Sequence, residues 1–148
     1  MQDRCVTLGP EAIVRIVANV YNKGSSNHVS VSTAGAVKSI SIPAKAIGAG
    51  SSINGGEFLL LALATCYCND IYREAGRLGV PVTEVEVEAT ADFDGVGLAA
   101  SNIAYRARVG SSASPEQIQA LLRETDAVAE VHNTIRRGAP VQLVPWSA

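Results

Sequence analysis

The sequence predicts an α+β fold in which antiparallel sheets pack against one long central helix. Segments in which apolar and polar residues alternate, the pattern of half-buried strands, occur on both sides of a long apolar segment at residues 57–78. The elements follow one another as strands, helix, strands, helix and strand, an order typical of an α+β domain. The length of 148 residues suits one domain, and we expect residues 1–148 to form it.

Three strands are predicted before the helix. Residues 13–21 are apolar and β-branched, and residues 28–33 and 36–42 alternate with a period of two. Turn-forming residues at 22–27 separate the first two strands. Pro43 ends the third strand because proline has no amide proton to donate to a sheet.

The central helix is predicted to span residues 57–78. Gly79 and Pro81 follow it directly and indicate where it stops. The first half is apolar on nearly every side, which predicts burial on most faces. Residues 69–77 become amphipathic, which predicts partial exposure of the second half.

A hairpin is predicted after the helix. Residues 83–93 alternate strictly, and residues 103–109 are the expected partner strand across a turn at Asp94-Gly95. Three acidic residues share one face of the first strand, which we interpret as a solvated surface rather than a metal cluster: Glu84, Glu86 and Glu88.

A second helix is predicted to begin after Ser114. This serine can cap the helix, Pro115 suits the first helical position, and Gln117 can complete a capping box. The helix should end near Ala129. After a short polar segment, residues 139–144 are predicted to form a last strand.

Composition and charge exclude several classes of partner. The net charge is −2 and no basic stripe occurs, so we expect no binding to nucleic acid. The longest apolar run, residues 58–64, is far shorter than the roughly 20 residues that span a bilayer. Residues 1–5 lack the layout of a signal peptide, so we expect a cytoplasmic protein. The chain is 47% hydrophobic but only 5% aromatic, and a core built mainly from aliphatic residues suggests pairing with a second copy.

The cysteines do not indicate a disulfide framework or a metal site. Cys5, Cys66 and Cys68 are an odd number, and a reducing compartment opposes structural disulfides. The Cys-x-Cys spacing, with His28 and His132 far away, is a poor zinc pattern. We therefore expect no metal and no cofactor.

Three segments resemble the OsmC/Ohr family of osmotically inducible and organic hydroperoxide resistance proteins. Residues 54–66, NGGEFLLLALATC, resemble the family's helix motif N-P-E-x-L-L-x-A-A-L-A-x-C. Residues 77–87, RLGVPVTEVEV, resemble the exit from that helix into an alternating strand. Residues 131–138, VHNTIRRG, are similar to the family's tail motif C-P-V-S-x-T-L-x-x-G.

The resemblance implies an OsmC-like fold, an intertwined homodimer with two sites at the subunit interface, and reduction of organic hydroperoxides. The family's peroxidatic cysteine matches Cys66. Such a cysteine attacks the O–O bond as a thiolate, so its pKa must be lowered by a cation or by hydrogen bonds. The resulting sulfenic acid must then be captured by another thiol.

The match departs from the family at the second cysteine, which falls on Ala129. Cys68 does not replace it easily, because side chains two residues apart on a helix diverge by roughly 200°. Cys5 could reach the site, but nothing in the sequence requires this. We therefore expect an external thiol to resolve the oxidised Cys66.

The activating groups are the second departure. The family's active-site glutamate aligns with Gly56, and Glu57 is the neighbouring candidate. Glu57 lies roughly 13 Å before Cys66 along the helix axis, so it could assist only by bending back or from the partner subunit. The alternative is that Glu57 complements the helix N-terminus. Arg15 and Lys23 are the candidates for the family's cation.

Other interpretations stay open from the sequence alone. Cys66 could be a small packing residue on a buried helix, as Cys68 is expected to be. The protein would then be a non-catalytic dimer that binds a small apolar ligand in an interface pocket. His132 could be a general base, but a residue that forms an ordinary hydrogen bond or faces solvent is the alternative.

Overall fold

A computed structural model describes residues 13–147, which form two compact units that divide after Asn54. The first unit contains a three-stranded antiparallel sheet in the order β1-β2-β3. The strands are β1 Ile16–Lys23, β2 Ser26–Thr33 and β3 Ala36–Ile40. Ala34 and Gly35 join the last two with φ values of 49° and 84°, and two successive positive φ angles match the twist of a tight hairpin. The three predicted strands are confirmed, with slightly shifted ends.

The first strand leaves its apolar side chains exposed. Ile16 and Val20, which point to one face, are 68% and 60% exposed, and Val17 on the other face is 48% exposed. A strand rich in apolar residues ordinarily buries at least one face. Within this chain, the sheet therefore presents apolar surface that it does not itself cover.

The second unit starts at Gly55 and contains the central helix. Its elements are α1 Gly55–Leu78, β4 Glu84–Asp92, β5 Ser101–Gly110, α2 Pro115–Val128 and α3 Glu130–Arg137. Strands β4 and β5 form a two-stranded antiparallel sheet in which Val87 lies opposite Ala107. The capping box predicted at Ser114 is present, and α2 ends one residue before Ala129.

The core of this unit lies where α1 meets the β4–β5 sheet and α2. Tyr67, Ile71 and Ala75 follow one another at intervals of four residues on one face of α1. They pack with Leu121 of α2 and with partly buried residues of the sheet: Val85, Val87, Tyr105, Ala107 and Val109. The predicted packing of an antiparallel sheet on the long helix is confirmed.

The burial along α1 differs from the prediction. The helix begins at Gly55, and in its first half Leu63 is buried while Leu61 remains 58% exposed. The second half, predicted to be partly exposed, carries most of the buried residues, including Ile71. The apolar composition predicted that the first half would be the more buried, but α2 and the β4–β5 sheet pack against the second half.

The predicted last strand is wrong. Residues 139–144 form no strand in the described part of the chain, and Val141 and Leu143 are almost fully exposed. Alternation of residue types cannot make a strand without a neighbouring backbone to pair with. The preceding polar segment, for which no helix or strand was predicted, forms α3, which Gly138 ends with a left-handed φ of 62°.

The described residues contain no helix long and apolar enough to cross a membrane.

Candidate active site on the central helix

Cys66 lies on α1 at the edge of the buried face. It precedes the core residue Tyr67 by one position, and successive helical residues point about 100° apart, so its side chain is half-buried. The Cys66 thiol donates a hydrogen bond to Oδ2 of Asp70 at 3.5 Å. The backbone N–H of Val131 donates a hydrogen bond to the Cys66 sulfur. The sulfur therefore has one acceptor and one donor beside it.

The donor comes from the first turn of α3. This helix has no side-chain cap at its N-terminus, which leaves backbone N–H groups available to other acceptors. The N-terminal end of a helix also carries partial positive charge, which favours an anion such as a thiolate. Ala129, where the resemblance expects a second thiol, is fully buried two residues before Val131. The position assigned to the second cysteine therefore does lie near Cys66, but it carries a methyl group.

The acceptor belongs to a charged cluster. Asp70 is only 5% exposed, and its Oδ1 atom binds Nη1 of Arg73 at 2.8 Å. The same Arg73 nitrogen lies 3.7 Å from Oε1 of Glu130, and its Nε lies 3.2 Å from Oε1 of Glu74. Arg73 therefore holds one oxygen of Asp70 and leaves the other to face the sulfur.

These surroundings raise the pKa of the Cys66 thiol. Burial is the main cause, since it disfavours the charged thiolate, and the negative charges of Asp70 and Glu130 act in the same direction. The Val131 N–H opposes them. Burial also raises the pKa of Asp70, while Arg73 counteracts this. Within one chain, Cys66 is thus held as a thiol that shares its proton with a carboxylate.

Three side chains could hold a small cation. The possible ligand atoms of Cys66, Asp70 and Glu130 lie within 4.8 Å of one another. However, the guanidinium of Arg73 already contacts both carboxylates, so a cation would have to displace it. The absence of a metal stays a prediction.

Glu57 lies in the first turn of α1, nine positions before Cys66. At 1.5 Å per residue, this separates the two by about 13 Å along the helix axis. Within the chain the structure does not bring them together, and an acidic residue in the first turn complements the helix dipole. A catalytic role for Glu57 stays a prediction.

The other predicted residues fall in different places. Cys68 is half-buried on α1, and neither it nor Cys66 forms a disulfide. Cys5 lies outside the described residues. In the first unit, Arg15 precedes β1 and Lys23 is its last residue, and their assignment as the activating cation stays a prediction.

The expectation that His132 forms a hydrogen bond or faces solvent is wrong. His132 is 3% exposed, and neither ring nitrogen has a hydrogen-bond partner among the described residues. Its ring centroid lies 4.4 Å from that of Tyr105 and 5.6 Å from that of Tyr67. Burial lowers the pKa of His132, helped by the nearby Arg136. His132 is therefore a neutral core residue beside the site, not a base at the sulfur.

Sequence reasoning missed Asp70, Arg73 and Glu130. The spacing did contain a signal, because side chains three or four residues apart on a helix are neighbours, and Asp70 follows Cys66 by four and precedes Arg73 by three. Because residues 69–77 were predicted to be amphipathic and partly exposed, this spacing was not taken to indicate a buried carboxylate beside Cys66. The contribution of Glu130 required knowledge of how α3 packs on α1.

Comparisons with known proteins agree on the fold. The family model described as "OsmC-like protein" matches residues 48–144. An OsmC-like protein from Mycoplasma pneumoniae is similar in structure, with a TM-score of 0.61, 15% identity, and coverage of 86% of this chain and 89% of that one. An organic hydroperoxide resistance protein from Elizabethkingia anophelis gives a TM-score of 0.58, 16% identity, and coverage of 86% and 91%. An organic hydroperoxide resistance protein from Legionella pneumophila gives a TM-score of 0.55 and 16% identity, and the match covers 86% of this chain and 92% of that one. No curated protein matches the sequence.

Proposed function

This chain belongs to the OsmC-like protein family, and on that premise we propose that it is a thiol-dependent peroxidase that reduces organic hydroperoxides, with Cys66 as the nucleophile. The observation that carries the proposal is the surroundings of the Cys66 sulfur. A half-buried thiol on a rigid helix has a carboxylate to accept its proton and a backbone N–H to stabilise the thiolate. Similar folds named as organic hydroperoxide resistance proteins support this substrate class.

Each turnover consumes one peroxide and two external thiol groups, while Cys66 is regenerated. The Cys66 sulfur attacks the terminal peroxide oxygen, the O–O bond breaks, and the alcohol leaves, so that sulfur is oxidised to sulfenic acid. Because Ala129 supplies no thiol, an external thiol condenses with the sulfenic acid and releases water. A second thiol group, most simply from the same dithiol, then restores Cys66 and leaves as a disulfide.

We further propose that the protein acts as a homodimer in the cytoplasm, in oxidative-stress defence. The exposed apolar side chains of β1 support a dimer, since contiguous apolar surface of this kind is typical of an interface. A second copy could also bring Glu57, or a cation such as Arg15 or Lys23, to the thiol. Such a cation would lower the pKa of Cys66 from the raised value that it has within a single chain, whereas the negative charge of Glu57 would not.

The test is consumption of an alkyl hydroperoxide in the presence of a dithiol. We expect turnover by the native protein and none by Cys66→Ser, with Cys68→Ser as the matched control that keeps native activity. The control removes a thiol from the same helix without touching the site. Equal rates for native protein and Cys66→Ser would eliminate Cys66 from the reaction.

A second candidate function is binding of a small apolar ligand without catalysis. Two observations favour it. The pKa of the Cys66 thiol is raised. Tyr67, the next residue along the chain, lines an open depression of about 520 Å³ together with Tyr105, Leu122 and neighbouring residues. Mild oxidation separates the candidates. Sulfenic acid or mixed disulfide formed selectively at Cys66, located by mass spectrometry, would exclude this reading.

A further inference from the structure

We propose that Asp70 is a catalytic residue of the peroxidase reaction: it takes the proton of the Cys66 thiol and delivers it to the alcohol that leaves the peroxide. This inference rests on the proposed function and adds the route of the proton. It also names the substrates that benefit most, which are alkyl hydroperoxides, because an alkoxide is a poor leaving group unless it is protonated as it departs.

The geometry of α1 places the carboxylate correctly. Side chains four residues apart lie on the same face, and each leans towards the N-terminus of the helix, so Asp70 leans back over Cys66. Its Oδ2 accepts the thiol hydrogen bond at 3.5 Å, a distance that suits the large sulfur atom. Contact with the reacting atom is the first requirement for an acid–base residue.

The surroundings of Asp70 restrict it to this role. Arg73 occupies Oδ1, so Oδ2 is the oxygen that faces the thiol. The side chain of Asp70 is only 8% exposed, whereas that of Glu130 is 70% exposed and binds Arg73 more weakly, at 3.7 Å. Of the two carboxylates near the sulfur, Asp70 alone is both buried and hydrogen-bonded to it.

The step balances without a further reactant. As the sulfur bonds to the terminal peroxide oxygen, the thiol proton passes to Oδ2 of Asp70 and the O–O bonding pair leaves with the alkoxide. Asp70 then gives the proton to the alkoxide, which yields the alcohol, Cys66 sulfenic acid and an unchanged carboxylate. Sulfur loses two electrons and the peroxide gains them.

The experiment compares two oxidants that differ in their leaving groups. Sulfenic acid formation at Cys66 is measured in a single turnover with tert-butyl hydroperoxide, whose leaving group needs a proton, and with peracetic acid, whose acetate leaving group does not. The fraction of thiolate is measured in parallel from the pH dependence of alkylation by iodoacetamide at Cys66. The rate of sulfenic acid formation with each oxidant is then divided by the fraction of Cys66 that is present as thiolate.

For Asp70→Asn, we expect the rate per thiolate with the alkyl hydroperoxide to fall roughly 10²–10⁴-fold, the usual contribution of a positioned acid–base group, and the rate with the peroxy acid to fall far less. Glu130→Gln is the matched control, since it removes the same charge without removing the hydrogen bond to sulfur. For Glu130→Gln, the rates per thiolate with the alkyl hydroperoxide and with the peroxy acid should change together, by less than roughly threefold.

The outcomes separate the inference from the function on which it rests. Equal losses for both oxidants in Asp70→Asn would overturn the role of Asp70 while leaving Cys66 as the nucleophile. A native protein whose Cys66 reacts with neither oxidant would refute the peroxidase itself. Should Asp70→Asn fail to fold, Asp70→Ala with added formate replaces it, and the proposal requires formate to restore the alkyl hydroperoxide rate selectively.

Discussion

The buried histidine beside the site makes stability depend on pH in a way that can be calculated. His132 is 3% exposed, and neither ring nitrogen has a hydrogen-bond partner within residues 13–147, so its protonated form has lost the hydration that it has in the unfolded chain. Burial and Arg136 lower the pKa of His132, while the nearby carboxylates Asp126 and Asp70 partly oppose this. Burial raises the pKa of the neighbouring Tyr67 to about 12, so its hydroxyl stays neutral near neutral pH.

The sign follows from where the proton binds. The unfolded chain takes up a proton on His132 as the pH falls through its ordinary pKa of 6.5, and the folded chain does not. Stability from this residue is therefore complete above pH 6.5 and is lost as the pH falls towards the folded pKa. Between pH 7.5 and 5.5, the loss is at most about 1.4 kcal/mol, the limit that applies if only the unfolded state binds the proton over this range.

The assay is chemical denaturation at both pH values for native protein and His132→Phe, at one fixed protein concentration. Phenylalanine keeps an aromatic ring between Tyr67 and Tyr105 but cannot be protonated. Any packing cost of the larger ring is the same at both pH values and cancels in the comparison. We expect the native protein to lose more stability than the variant on acidification, by up to about 1.4 kcal/mol.

The control is His28→Phe, which removes the chain's other histidine from β2 in the first unit. Identical pH dependence of native protein and His132→Phe would refute the reasoning, because His132 would then bind its proton equally well in the folded and unfolded states.

Four further substitutions test the elements that hold the site in place. Ile71→Ala should lower the free energy of unfolding by about 2–5 kcal/mol, measured by denaturation, because this side chain is fully buried; a loss below 1 kcal/mol would contradict its place in the core. Ser114→Ala should cost about 1 kcal/mol by removing the cap of α2, and unchanged stability would mean that the capping box contributes nothing. Gly76→Ala should raise stability by about 0.5–1 kcal/mol, because a Cβ there meets open space inside a helix. Gly138→Ala should lower it by about 1–2 kcal/mol, because φ is 62°, and the same sign for both glycine variants would contradict this contrast.

The elements that the sequence predicted well are those whose signals are local. The capping box at Ser114 and the alternation of residues 83–93 each reflect contacts between residues close in the chain. The long helix was also predictable, because Gly79 marks its end and no proline interrupts it. Such features depend little on what the rest of the chain does.

The errors concern partners that a sequence does not specify. Residues 139–144 have the alternation of a strand, but no backbone in the described chain pairs with them. His132 lies on a polar segment, yet helix formation at residues 130–137 turns this one side chain into the core. In both cases, tertiary packing outweighed local composition.

The same principle explains how the candidate site was half predicted. Cys66 was identified from a motif, whereas its neighbours depend on the packing of α3 against α1, which brings Val131 and Glu130 to the sulfur. Asp70 is an intermediate case. Its spacing of four residues from Cys66 can be read from the sequence, whereas its burial depends on tertiary packing.

The core and the site share one helix, and this has a consequence for catalysis. Tyr67 and Ile71 lie on the buried face of α1. Cys66 immediately precedes Tyr67, and Asp70 immediately precedes Ile71. The orientation of α1 about its axis, which buries that face, therefore also fixes where the Cys66 thiol and the Asp70 carboxylate point. Side chains on a packed helix are held more firmly than those on a loop, and proton transfer depends steeply on the distance between donor and acceptor. If the proposed peroxidase function holds, a substitution such as Ile71→Ala should weaken the reduction of an alkyl hydroperoxide even where the protein remains folded, because it loosens the contact between Cys66 and Asp70.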